Sequence, residues 1–194
     1  MTRSLPSLTA RLARRLRRFR RDTGGYMLVE AVLIVPFLLW GYIALYSYWD
    51  AYRSMTNLQK VAYTASDLIS REQRPVNAAY MTGIRNTMNA MLGSGQIVDL
   101  RITQVMWSEI EDRFVVEWSN SPTGMIALTT ETLAGVRHRI PDMGDGRTAI
   151  IVEAAVEYTP SLSLGVGALP GLQPTTFEEF IVTPPRYAPR VVFQ

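Results

Sequence analysis

Residues 31–49 of this chain carry no charged side chain and are almost wholly apolar. A run of about 20 such residues crosses the hydrocarbon core of a bilayer as a helix, because only a helix or a closed barrel satisfies its own backbone there. That constraint comes before every other choice the chain can make. Glu30 stands at the start of the run, and an ionisable group in such a segment marks a functional site by default. The run ends in Tyr46-Ser47-Tyr48-Trp49-Asp50, the composition of an interfacial belt. A secretory signal peptide would have a shorter apolar core and end in small residues, so the span is expected to be retained. Pro36 removes one helix hydrogen bond and kinks or loosens the helix locally. Gly41 permits close approach of a neighbouring helix, or is simply a tolerated glycine.

Charge is distributed around this segment unevenly. Eight arginines and one acid, Asp22, precede Tyr26. Removing those from the 20 basic and 17 acidic residues leaves 12 basic and 16 acidic, a balance of −4 where the whole chain carries +3. One cut after Gly25 would therefore turn a basic precursor into an acidic product. Arginines beside an apolar span hold that flank in the cytoplasm and send the other side out. Residues 1–25 read as a basic leader, with Leu5, Leu8, Leu12, Leu16 and Phe19 at amphipathic spacing suited to an anionic membrane face. A nucleic-acid arm, twin-arginine export and a mitochondrial-type presequence compete for the same arginines. The first lacks aromatic interleaving, twin-arginine export has no supporting context after the arginine pairs beyond the apolar run, and a presequence sits poorly with a long span after it.

The order basic leader, Gly24-Gly25, Tyr26, then Glu30 as fifth residue after Gly25, then an apolar helix, resembles the type IV prepilin processing site. The continuation Val29-Glu30-Ala31-Val32-Leu33-Ile34-Val35-Pro36-Phe37 is similar to the TadE/TadG-like family, the minor pilins or pseudopilins of tight-adherence (Tad) pili. The likeness covers about residues 20–50. It implies cleavage between Gly25 and Tyr26 by a membrane aspartic prepilin peptidase. It also implies pairing of the freed Tyr26 amine and the Glu30 carboxylate between neighbouring subunits. The implied partners are the inner membrane, that peptidase, other Tad pilins and pseudopilins, and a pilus assembly platform, with no nucleic acid. The implied place is the inner membrane, N-terminus cytoplasmic and C-terminal domain periplasmic.

Beyond the span the periodicity continues. Met55, Leu58, Val61, Ala62, Ala65, Leu68 and Ile69 keep three- or four-residue spacing, so one helix is expected from 26 to 74, membrane-spanning over about 30–49 and ended by Arg74-Pro75. Residues 75–194 are expected to form an exported head with an extended C-terminal tail. Val76 to Leu92 predicts a helix with Ile84, Met88 and Met91 on one face, stopped at Gly93 before a Gly93-Ser94-Gly95 loop. Val98, Leu100 and Ile102 alternate as a strand, and Arg113 to Trp118 is its partner across an acidic turn. After the break at Ser121-Pro122-Thr123-Gly124, Met125 to Ile140 predicts a third helix closed by Pro141. Thr148 to Tyr158 is the clearest strand, expected to place Ile150, Val152, Ala154, Val156 and Tyr158 inward and Ile151, Glu153, Ala155 and Glu157 outward. A loop from Pro160 to Pro174 leads to a last strand near Phe177 to Val182 and a tail holding Arg186 and Arg190. The fold class is α+β: a long N-terminal helix packed on a small antiparallel sheet, pilin-like in plan.

The head offers little for catalysis. Adjacent Glu178 and Glu179 point to opposite faces of a strand, and Glu153 with Glu157 reads as a solvated face. His138, between Arg137 and Arg139, suits a helix C-terminus; no nucleophile elbow accompanies it. Asp142-Met143-Gly144-Asp145-Gly146 lacks calcium-loop spacing and reads as a polar turn. Trp107 and Trp118 are expected in the core. With no cysteine there is neither a disulfide nor a thiolate metal site. No enzyme activity and no cofactor are expected. The main alternative to a processed minor pilin is an uncleaved, membrane-anchored periplasmic scaffold of a secretion or pilus machine.

Overall fold

The computed structural model describes residues 25–93, 95–160 and 173–194. The leader up to Gly24, Ser94, and the part of the glycine- and proline-rich loop from 161 to 172 lie outside the described residues. The chain divides into two compact units, Met1–Tyr46 and Ser47–Gln194.

Helix α1, Tyr26–Ser70, is 45 residues long and runs through Pro36 without interruption. Its most apolar 18-residue window has a mean hydropathy of 2.2, and none of that window is buried. Length and composition make it compatible with a single membrane span. The described residues Gly25 to Trp40 are all exposed. The second half behaves differently: Leu58, Val61, Ala62, Ala65 and Ile69 are buried at spacings of three and four. The helix stops at Ser70 rather than 74. Its last turn tightens, with Arg71 N–H donating to Leu68 and Glu72 N–H to Ile69. Glu72 then accepts the backbone N–H groups of Gln73 and Arg74, each at 3.1 Å. The Arg74 N–H foremost holds the Glu72 carboxyl below its ordinary value, while burial pushes the Tyr80 hydroxyl up. Because the Glu72 shift is downward, its small contribution to stability is present above the unfolded-state pKa and fades as pH falls through the folded one.

The second helix, α2, is Ala78–Leu92, two residues shorter at its start than expected. Asn77 caps it by accepting the Tyr80 N–H at 2.9 Å, which leaves Val76 outside. Val76 instead bridges Phe193 in parallel. The inward stripe is Met81, Ile84, Met88 and Leu92; Met91, expected on it, is 48% exposed.

Four strands, β1 Val98–Ser108, β2 Arg113–Asn120, β3 Thr148–Tyr158 and β4 Thr175–Thr183, form one antiparallel sheet in the order β2-β1-β3-β4. One face carries Val98, Leu100, Ile102, Ile150, Val152, Ala154 and Val156, all in one cluster with the buried stripes of α1 and α2. The architecture is α+β. The opposite face corrects two expectations. Ile151 is fully buried there, with Val105, Phe114 and Ala149, under a lid made by Leu128, Leu133 and Ile140. That lid is not the helix expected over Met125 to Ile140. It is extended at first, then a four-residue helix α3, Thr130–Leu133, and a 3-10 turn, Ala134–Arg139. Thr129 and Thr132 cap each other and fix the start of α3 at Thr130, so Met125 to Leu128 lie ahead of the cap and outside the helix.

Glu153 is likewise no solvated residue. It forms a bidentate pair with Arg101, Nε to Oε2 at 2.6 Å and Nη2 to Oε1 at 2.7 Å, with both side chains about five-sixths covered. Arg101 also donates to the Ile126 carbonyl and so ties the lid to the sheet. Ile151→Ala tests the two-sided sheet. A buried isoleucine should lose about 2–4 kcal/mol on truncation, whereas an outward one would lose about 0.5 kcal/mol or less. Denaturant unfolding of the full chain in detergent measures the difference.

Strand β2 carries a bulge: Gln104 pairs with Trp118 and Val105 with Val116, so Glu117 is the extra residue. The bulge aims Glu117 at two partners, Gln104 Nε2 and Arg190 Nη1. Gln104, fully buried, accepts the Val191 N–H at 2.8 Å, and Trp118 Nε1 donates to the Val191 carbonyl at 2.8 Å. The tail is thereby strapped across the helical face. Its other fastenings are Arg186 N–H to Ser70, Val76 N–H to Val192, Gln194 N–H to Val76, and Thr148 Oγ1 to Pro189.

Candidate functional site

Three residues carry the expected processing and pairing chemistry. Gly25 directly precedes α1, Tyr26 is its first residue, and Glu30 is its fifth. Tyr26 is 73% exposed, and Glu30 is exposed as well. Among the described residues, a Cβ at Gly25 would meet nothing within 4 Å, so none of them requires glycine there. The same is true of Gly41.

Helix geometry explains what Glu30 can do. The first turn of α1 contains no acid, and stabilisation by the helix dipole fades beyond that turn. Side chains on a helix lean toward its N-terminus, and positions i and i+4 share a face. The Glu30 carboxylate therefore sits on the face of Tyr26 and is directed toward the end where a cut would create an ammonium. Its immediate neighbours Val29, Val32, Leu33 and Ile34 are exposed apolar residues. A carboxylate in that surrounding is costly in lipid unless paired.

The other flagged residues are engaged elsewhere. Trp107 packs edge-on against Phe114 at 4.8 Å, and Trp118 tilts against Phe193 at 5.4 Å, one on each face of the sheet. Asp142 pairs with Arg137 at 2.6 Å, and Asp145 accepts the Glu109 N–H at 2.9 Å, so the two acids of the polar turn face different partners. Arg137 lies over Trp107 and Phe114 and Arg139 over Phe180, leaving His138 exposed at the end of the 3-10 turn. Among the described residues no group of three or more His, Cys, Asp or Glu is arranged to hold a metal ion.

One feature escaped sequence reasoning. A cavity of about 790 Å³ opens beside the part of α1 that follows the apolar run, within the Ser47–Gln194 unit. Asp50, Arg53, Ser54 and Asn57 form its helical wall; Gln96, Asp99, Glu157 and Tyr158 are among the residues opposite. They come from three separate stretches of chain, and no local motif could have joined them. Compared with family models, curated proteins and solved structures, the chain matches none of the three.

Proposed function

We propose that this chain is a TadE-like minor pilin or pseudopilin that takes part in assembling a Tad pilus used in surface adherence. The observation that supports this most directly is the division of labour within α1. One continuous helix begins at Tyr26, presents an exposed apolar half bearing a single acid at its fifth position, and ends as the core of a four-stranded antiparallel head. Such a helix gives an assembly protein a lipid-soluble stem in its first half and part of the head's core in its second. The chemistry is association: an ammonium at Tyr26 and a carboxylate at Glu30, each costly alone in low dielectric, set register between neighbouring subunits by pairing.

Processing is the first test. The mature chain should begin at Tyr26, and Gly25→Leu should block the cut by crowding the scissile bond. The substitution has open space within the chain, so a processing defect would not be a folding defect. Intact-mass measurement of the N-terminus from cells with an active prepilin peptidase checks both variants. An uncut wild-type chain would favour the anchored scaffold instead.

Topology is the second test. Residues 1–25 should be cytoplasmic and residues from about 50 onward exported, because the arginines lie on one side of the span. An export-dependent reporter joined after Gln194 should be active. Activity of a cytoplasm-dependent reporter at the same position would overturn the pilin and scaffold readings together.

A further inference from the structure

We propose that the cavity beside α1 binds the headgroup of an aminophospholipid, taking phosphate at Arg53 and the primary ammonium at Asp50. The proposal rests on the reading that residues 31–49 cross a membrane. Asp50 directly follows that run, and from Asp50 to Asn57 the helix rises about 10 Å. The headgroup layer on each side of a bilayer is about 5–7 Å thick. The first turn of that wall, Asp50 to Arg53, rises about 4.5 Å and therefore falls at the depth where headgroups lie.

Charge selects among the lipids found there. The cavity is lined by three carboxylate residues, Asp50, Asp99 and Glu157, and one guanidinium residue, Arg53. That excess of negative charge disfavours an anionic headgroup and favours a zwitterion whose cationic end is accessible. Asp50 is pre-positioned: Tyr158 donates its hydroxyl to Asp50 Oδ2 at 3.0 Å and also reaches the Ser47 carbonyl at 3.4 Å. Across the cavity, Gln96 Nε2 donates to Ser54 Oγ at 2.8 Å, closing the wall between helix and loop. Arg53 is exposed and lies 5.5 Å from the Trp49 ring centroid, one helical turn toward the apolar run. Trp49 thus holds the guanidinium at the membrane side of the cavity. Asp50 and Arg53 are three residues apart on one helix face, so a single headgroup can touch both. A primary ammonium donates three hydrogen bonds to carboxylate and carbonyl oxygens; a trimethylated choline nitrogen donates none. The ligand class is therefore phosphatidylethanolamine rather than phosphatidylcholine or phosphatidylglycerol.

Native mass spectrometry of the full chain in detergent tests this. The lipids are equimolar phosphatidylethanolamine, phosphatidylcholine and phosphatidylglycerol with identical acyl chains. Retention of the ethanolamine lipid should exceed each of the others by about tenfold. Asp50→Asn and Arg53→Gln should each abolish the preference, while Lys60→Gln, on the same helix but outside the cavity, should leave it intact. Circular dichroism melting of each variant identifies any that fails to fold. Tyr158→Phe, which removes only the hydroxyl that positions Asp50, should weaken the preference and serves as a second variant. Soluble glycerophosphoethanolamine should displace the lipid. Equal retention of the three lipids, or an undiminished preference in both charge variants, would overturn the proposal. So would binding of glycerophosphoethanolamine without retention of the lipid, since the ligand would then be a free solute. Membrane fractionation and N-terminal mass of the same preparation report anchoring and processing separately, so a failed lipid test leaves the pilin reading to its own evidence.

Discussion

On the proposed minor-pilin reading, Glu30→Ala should yield a chain that is cleaved, inserted and folded but does not associate with pilin partners. Glu30 is exposed and four turns or more from the first buried position of α1. Insertion should become slightly easier, because a carboxylate near the start of a span costs free energy that alanine does not. Association should fail because the Tyr26 ammonium of a neighbouring subunit would be left without a counter-charge. An unpaired ion in low dielectric costs about 3–5 kcal/mol, enough to reduce an association constant by at least a hundredfold. Glu30→Asp should recover part of it, keeping the charge on a shorter reach. Co-purification of pilin partners and counts of surface pili, at matched protein levels, measure the effect. Wild-type assembly by Glu30→Ala would leave Glu30 as a helix-start acid and favour the anchored scaffold.

Truncation after Pro185 should unfold the head. The strap it removes contributes Val191, 2% exposed, and Phe193, packed on the same core. It also provides the partners of Gln104 Oε1, Trp118 Nε1 and the Val76 N–H. Uncovering two large apolar side chains and their neighbours costs about 3–5 kcal/mol. Stranding three polar groups adds about 1 kcal/mol each, allowing for water that reaches them. A small domain is stable by about 5–15 kcal/mol, so the loss takes most or all of it. Val191→Asp should act in the same direction with less force. Resistance to limited proteolysis, compared between full-length and truncated chains in detergent, is the measurement. A truncated head as resistant as the full chain would show that the strap is an appendage.

The sequence makes the elements with a strict period legible. Alternation in Val98 to Ile102 and Thr148 to Tyr158 finds β1 and β3, and three/four spacing finds α1 and α2. It misleads where one period has two explanations. In β3 the odd positions include both Ile151 and Glu153, and reading the whole set as outward follows from assuming one buried face. The second buried face escapes notice because its cover, residues 125–140, is too irregular to announce itself and is secured by Arg101, Glu153 and the Thr129–Thr132 cap. The strap is invisible for another reason: most of its fastenings are backbone groups, which every residue has. Gly25, Tyr26 and Glu30 are legible because they form a local pattern within six consecutive residues.

The strap also carries a kinetic meaning. Val191 joins a cluster with Leu58, so the two ends of the head must meet across more than half the chain before the core closes. Contacts so far apart in sequence form slowly. As the chain is synthesised from its N-terminus, the helix and the first strands emerge long before the segment that completes them. The core thus closes last at the strap, and until residues 186–194 have been made the helix and the sheet lack the side chains and backbone partners that lock them together.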